Sequence, residues 1–239
     1  MKIIPVIDIL DGNVVHGIAG NRQSYQPIKS CLSDSSDPER IVQGFLDVYP
    51  FDQIYIADLN ALEGDADSAS IVTRLAQHFP SVEFLVDAGF DTPNRLDAYA
   101  DNCHFVPILA TEVFSTAGEY LRLRKALNNK PYILSLDHNK GRLGASNIFD
   151  ETVYWPEKII VMSLDDVGSN GGPNLELISA YQRAHPEHRY IAAGGVRNLN
   201  DVNILAAQNV YAALIASALH AGQITDKDLK TLAQKNAPL

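Results

Sequence analysis

Two aspartates in equivalent settings are the residues best suited to chemistry in this chain. Asp8 and Asp137 stand 129 positions apart (137 − 8), and each opens an Asp-x-x-x-Gly-x-aliphatic pattern: Gly12 and Val14 follow Asp8, Gly141 and Leu143 follow Asp137. Each also ends an apolar, strand-like run, residues 3–7 and 132–136. Carboxylates at the carboxyl ends of two strands point to a general acid and a general base on opposite sides of one site. Such a pair works when its surroundings keep one group protonated and the other ionised. A lone aspartate at a strand end often only caps a loop; the repetition with the same downstream glycine favours catalysis.

The elements that must position these residues recur regularly. Apolar runs at 3–9, 53–59, 82–87, 104–109, 132–137, 158–164, 190–193 and 212–217 read as strands. Several are apolar at consecutive positions, as strands buried on both faces are. Helical spacing fills the gaps at 37–46, 68–79, 92–99, 115–127, 175–185, 199–208 and 226–235, the first with Asp37 as N-cap and Pro38 in the first turn. Residues 146–156 have room for a short helix at most. Eight strands alternating with helices predict an α/β fold, a (βα)8 TIM barrel forming a single domain over residues 1–239. An open doubly wound sheet is disfavoured, since a carboxylate rather than a glycine fingerprint follows the first strand.

The chain is also internally repeated. Gly89 matches Gly195 and Ala110-Thr111 matches Ala216-Ser217 at an offset of 106, while Asp58 matches Ser163 at 105. The loop after the first strand is therefore the longer of its pair. Its polar stretch at 17–36 reads either as a lid over the site or as a disordered insertion.

A formal net charge of −10 argues against nucleic acid as a partner, because phosphate backbones require clustered cations. A phosphorylated small molecule stays compatible, since a few backbone N–H groups suffice to hold it. Cys31 and Cys103 lack metal-ligand spacing and read as reduced thiols. The amino-terminal segment is too soon charged for a signal peptide, and no apolar run approaches membrane-spanning length. The expectation is a cytoplasmic protein, a monomer or small homo-oligomer, with no metal and no membrane association.

At its motifs the chain resembles the histidine-biosynthesis barrels: the phosphoribosylformimino aminoimidazole carboxamide ribotide isomerase and its sister, the cyclase subunit of imidazole glycerol phosphate synthase. The likeness covers nearly the whole chain. Its carriers are Pro5-Val6-Ile7-Asp8-Ile9, Ile56-Ala57-Asp58-Leu59-Asn60-Ala61, Ser135-Leu136-Asp137, Ala192-Ala193-Gly194-Gly195-Val196 and Leu214-Ile215-Ala216-Ser217-Ala218-Leu219. The resemblance implies a two-fold repeat of half-barrels and an Amadori-type rearrangement of an aminoaldose phosphate. In it Asp8 is the base at C2, Asp137 is the acid at the ring oxygen, and no cofactor takes part. It further implies a phosphate on Gly194, Gly195, Ala216 and Ser217, although a Gly-Gly pair can also be a tight turn with no ligand.

Departures from the family are concentrated in the first half. Where the family carries three glycines, an aliphatic residue and Arg, this chain has Asp87-Ala88-Gly89-Phe90-Asp91. A carboxylate there repels a second phosphate by about 1–4 kcal/mol at 4 Å. Asp87 is expected either to receive a hydroxyl or amine or to cap the next helix. Ser163 replaces the isomerase's Thr, His16 stands where the cyclase has Lys, and Asp58 completes the substrate-binding candidates. These departures resemble a divergent branch of the superfamily from methane-producing and methyl-oxidising microbes, which implies a setting in one-carbon cofactor biosynthesis. Three functions stay open: an isomerase of a mono-phosphorylated (amino)sugar, a cyclase-like lyase, and a non-catalytic ligand-binding barrel.

Overall fold

The computed structural model describes residues 1–17, 25–64, 68–100, 104–167 and 171–236. Strand β1 (Lys2–Leu10) turns back into the short β2 (Asn13–Val15), and helix α1 (Pro38–Val48) follows. Next come β3 (Gln53–Asp58), α2 (Leu59–Glu63), α3 (Ala69–His78), β4 (Glu83–Asp87), α4 (Pro93–Ala100), β5 (Phe105–Ala110) and α5 (Ala117–Ala126). The second half runs β6 (Ile133–His138), α6 (Ser146–Asp150), β7 (Lys158–Ser163), α7 (Leu175–Ala184), β8 (Arg189–Ala193), α8 (Leu199–Ala207), β9 (Ala212–Ile215), α9 (Ser217–His220) and α10 (Asp226–Asn236).

Strands β1 and β3 to β9 pair in chain order, all parallel, and β1 closes the ring by pairing with β9 through Lys2↔Ala212 to Pro5↔Ile215. This is a (βα)8 barrel, as the spacing predicts. Alternate strand residues build two layers. Ile4, Tyr55, Leu85, Ile108, Ile160 and Ile191 belong to a cluster whose buried members, apart from Leu59 of α2, come from the strands, and it fills the barrel interior. Their neighbours, such as Ile54, Ile56 and Phe84, pack with Ile41, Phe45, Val72 and Leu75 of the helices. Both faces of each strand are thus apolar, which is why the strands read as continuous hydrophobic runs.

The half-barrel repeat is visible in the strand limits. The bounds of β3 and β7 differ by 105 at both ends, and those of β4 and β8 by 106. The repeated downstream glycine has a local cause. Asp11 (φ 49°) and Gly12 (φ 78°) form the two-residue turn with positive φ at both positions that Asp-Gly favours, folding β2 antiparallel onto β1. Lys140 (φ 52°) and Gly141 (φ 152°) turn the chain after β6 in the same sense, with His138 bridging to Arg142.

The β1–α1 loop is only partly described; residues 18–24, on which much of the lid expectation falls, lie outside the described residues. From Tyr25 onward the loop is tied down by Ile28 N–H to Val14 O (2.8 Å), Cys31 N–H to His220 O (2.9 Å) and Val14 N–H to Ser36 O (2.8 Å). Cys31 is a free thiol, and Cys103 lies outside the described residues. Among the described residues no helix is long and apolar enough to cross a membrane.

Asp58, fully buried at the end of β3, accepts from Ala61 N–H (3.2 Å), from Ser68 N–H (2.7 Å) and from the Tyr99 hydroxyl. It fastens α2, the start of α3 and α4 to one strand end. Asp58→Ala strands three buried donors, so it is expected to cost roughly 3 kcal/mol or more of unfolding free energy, read as a lowered urea midpoint. A loss below 1 kcal/mol contradicts this role.

Candidate active site

The carboxyl ends of the barrel strands open onto a cavity of about 890 Å³. Asp8 and Asp137 both line it. In a closed ring of eight strands each faces the strand four places on, so β1 stands opposite β6 and the two aspartates confront each other across the barrel mouth.

Their surroundings differ. Asp137 is 3% exposed and accepts from the Ser135 hydroxyl (2.6 Å), the Thr111 hydroxyl (3.1 Å) and Glu112 N–H (3.1 Å). Burial disfavours its charged form, the neighbouring Glu112 and Asp87 add to that, and its pKa is pushed up to about 7 despite the three donors. Asp8 is half-buried, and the β1–β2 hairpin brings Gly17 against it. A Cβ at Gly17 would stand 2.7 Å from Asp8 Oδ2, so any side chain there displaces the carboxylate.

The wall at β8 and β9 holds Gly194, Gly195, Ala216 and Ser217, all lining the cavity. Gly194 (φ 100°) and Gly195 (φ 76°) lie in the left-handed region, and a Cβ at Gly195 would meet the Gly172 carbonyl oxygen at 2.1 Å. Only glycine permits that backbone. His16 Nε2 lies 3.3 Å from Ser217 Oγ, which places the hairpin end beside this wall. Arg197, two residues past the glycine pair, also lines the cavity and pairs with Asp201 through Nε (2.9 Å) and Nη2 (2.9 Å). The Arg197 guanidinium holds the Asp201 carboxyl below its usual range.

Across the mouth, Asp87 accepts from the buried Tyr55 hydroxyl at 2.9 Å and from Gly89 N–H at 3.3 Å. It also lines the cavity. Burial, followed by Asp87, raises the Tyr55 pKa well above the ordinary phenol value. Gly89 itself is outside the lining: Leu62 crowds it, and Arg95 Nη1 donates to its carbonyl at 3.0 Å.

Two sequence candidates lie apart from the cavity lining. Asp58 is engaged in its caps, and Ser163 donates to Asp166 at 2.5 Å behind the β7 end. Conversely, the sequence reading missed Tyr55, Glu112, Lys140, Asp165, Arg197 and His220, all of which line the cavity. A signal for Arg197 was present: Gly194-Gly195-Val196-Arg197 repeats in the second half the glycine–aliphatic–Arg order that the family carries in the first. Tyr55 gave none, being one more large residue in a buried strand. His220 is buried between Ser30 Oγ (3.0 Å) and Val6 O (3.4 Å), and burial brings its pKa down to about 4. Among the described residues no cluster of three or more His, Cys, Asp or Glu has the geometry to hold a metal ion.

The fold and the opposed carboxylates define a class, a (βα)8 barrel with two facing aspartates at its strand ends. Comparison with known proteins supplies the family. The sequence pattern described as "Histidine biosynthesis protein" matches residues 2–225, and the chain belongs to that family. A Methanocaldococcus jannaschii protein described as uncharacterized is 31% identical over 240 residues, 98% of this chain and 99% of the relative. A 1-(5-phosphoribosyl)-5-((5-phosphoribosylamino)methylideneamino) imidazole-4-carboxamide isomerase of Nitrosopumilus maritimus is 24% identical, covering 97% of this chain and 99% of its own. The imidazole glycerol phosphate synthase subunit HisF of Streptomyces avermitilis is also 24% identical, covering 96% and 94%.

The Asp137 environment has a measurable consequence. Its folded pKa lies above that of the unfolded chain, so the folded state binds the extra proton between about pH 4 and 7. Stability from this group is present below the unfolded value and is lost as pH rises through about 7. Asp137→Asn lacks that dependence. Its stability relative to the parent should rise by roughly 2–3 kcal/mol between pH 5 and pH 8, measured by urea unfolding at both pH values. A difference that does not change with pH rules out a desolvated carboxyl.

Proposed function

We propose that this protein is an isomerase that converts a mono-phosphorylated aldosylamine, or an aminosugar-like compound of that kind, into the corresponding aminoketose. The carrying observation is the pair Asp8 and Asp137 on opposed strands of one cavity, with Asp137 poised near pKa 7 by burial. In this reading protonated Asp137 delivers its proton to the ring oxygen as the C1–O bond opens. Ionised Asp8 then takes the proton from C2, leaving an enol-amine that tautomerises to the ketose. Unequal burial of two carboxyls is the physical device that allows one to act as acid and the other as base at the same pH.

The substrate's phosphate is assigned to the β8–β9 wall, where the Gly194-Gly195 turn, Ala216 and the Ser217 hydroxyl line the cavity and Arg197 stands beside them. A backbone turn with a hydroxyl and a guanidinium is a familiar anion cradle in barrels of this type. Family relatives named as isomerases support the reaction class. A cyclase-like reaction has less support, since His16 stands in place of the Lys expected there. The placement in one-carbon cofactor biosynthesis rests on the sequence resemblance.

Asp8→Asn and Asp137→Asn are each expected to lower turnover roughly 10²–10⁴-fold while leaving the circular dichroism spectrum unchanged, assayed against a panel of phosphorylated aldosylamines. The parent rate should decline as pH rises above about 7, following loss of the Asp137 proton. Parental turnover in both variants contradicts the assignment.

A further inference from the structure

The two half-barrels differ in charge at equivalent positions. At the offset of 106 that aligns β4 with β8, Asp87 corresponds to Ala193, Asp91 to Arg197 and Glu112 to Ala218. The helices behind repeat the inversion. Asp91 and Arg95 form an i,i+4 ion pair at 3.8 Å in the first half, and Arg197 and Asp201 form the equivalent pair at 2.9 Å with the signs exchanged. In the second half the cation, Arg197, lines the cavity. In the first half Arg95 is turned to the Gly89 carbonyl, and the cavity instead meets Asp87, Glu112 and Glu63.

The ring order gives this inversion a direction. Strands β4 and β5 stand opposite β8 and β9, so Asp87 and Glu112 face the wall of Gly195, Arg197 and Ser217 across the mouth. Among the described lining residues the first half gives Asp8, Glu63, Asp87 and Glu112, whereas in the second half Lys140 and Arg197 offset Asp137 and Asp165, so the acidic end lies on the first half and the anion-compatible end on the second. Among the described residues, the cavity-lining Lys and Arg, Lys140 and Arg197, both come from the second half.

We infer that the substrate is itself dipolar, bearing a protonated nitrogen at the end that meets Asp87 and Glu112, opposite its phosphate. This deepens the proposed function and rests on it for the phosphate end. A second phosphate is repelled at the acidic end. A neutral hydroxyl gains a hydrogen bond there, whereas an ammonium or amidinium gains the bond and the charge attraction together, so it is selected. Tyr55 supports this end by donating to Asp87, which keeps the carboxylate aimed while burial holds the phenol protonated.

The test is calorimetric titration at neutral pH and low salt with matched probes of graded chain length: ω-aminoalkyl phosphates, ω-hydroxyalkyl phosphates, alkane bisphosphates and plain alkylamines. At the best chain length the aminoalkyl phosphate should bind at least ~10-fold more tightly than its hydroxyl counterpart. The Asp87→Asn/Glu112→Gln double variant should abolish that preference, and Glu112→Gln alone, at an exposed position that does not threaten folding, should reduce it. Ser217→Ala should weaken both phosphate series alike. Equal binding of amine and hydroxyl probes, a preference that survives both variants, tighter binding of the bisphosphate, or Mg²⁺ alone binding through these carboxylates overturns the inference. If plain alkylamines bind as tightly as aminoalkyl phosphates and Ser217→Ala has no effect, the phosphate reading fails while the cationic end stands.

Discussion

Closure of the sheet is the constraint on which the rest of the molecule depends. Once β1 pairs with both β3 and β9, every strand end acquires a fixed opposite, and sequence distance turns into direction across a mouth. Asp8 and Asp137, far apart in the chain, face each other because their strands are four apart in the ring. In an open sheet the same residues would stand in a row, and one substrate could not lie between them. The layered interior of Ile4, Tyr55, Leu85, Ile108, Ile160 and Ile191 holds that ring in shape.

Closure also sets two axes at right angles. Along one lie the carboxylates of β1 and β6; along the other, the ends of β4 and β5 face those of β8 and β9. The first axis is the same at both ends, Asp facing Asp. The second is polar. Duplication supplies matching backbone on both sides, and local packing then decides what each side can hold. At β8 the chain passes so close to the Gly172 carbonyl that glycine is obligatory, and the turn stays open to the cavity. At β4 the corresponding Gly89 is covered by Leu62 and Arg95, and a carboxylate takes its place at the cavity wall.

The barrel was legible because its strands are buried on both faces and write themselves as apolar runs between capped helices; the Asp37 cap, accepting from Arg40 N–H at 3.1 Å, is a direct instance. The paired aspartates were legible for a similar reason, since a turn with positive φ after each strand demands a Gly at a fixed distance. The β1–β2 hairpin was missed although Asp11-Gly12 is a strong turn signal, because the loop that follows was read as one polar stretch. Tyr55 was illegible for a different reason. Whether a strand residue faces the barrel interior or the helices depends on register, and register is set only when the ring closes. Asp58 shows the converse: it matches Ser163 because both close their strands, β3 and β7, and neither lines the cavity.

The polar axis and the acid/base axis are coupled through Asp137. Three donors favour its ionised form, yet desolvation outweighs them, and the nearby Glu112 and Asp87 push in the same direction. The carboxylates that make the first-half wall acidic therefore also help to keep the acid protonated while the site waits. A cation seated against Asp87 and Glu112 cancels part of that repulsion and lowers the cost of ionising Asp137. On the proposed mechanism, binding of a dipolar substrate makes Asp137 readier to release its proton to the ring oxygen. Asp8 is differently placed: it is half-buried, with Gly17 packed closely against it. Two copies of one strand end thus come to differ in burial and charge through what each neighbouring loop lays over them.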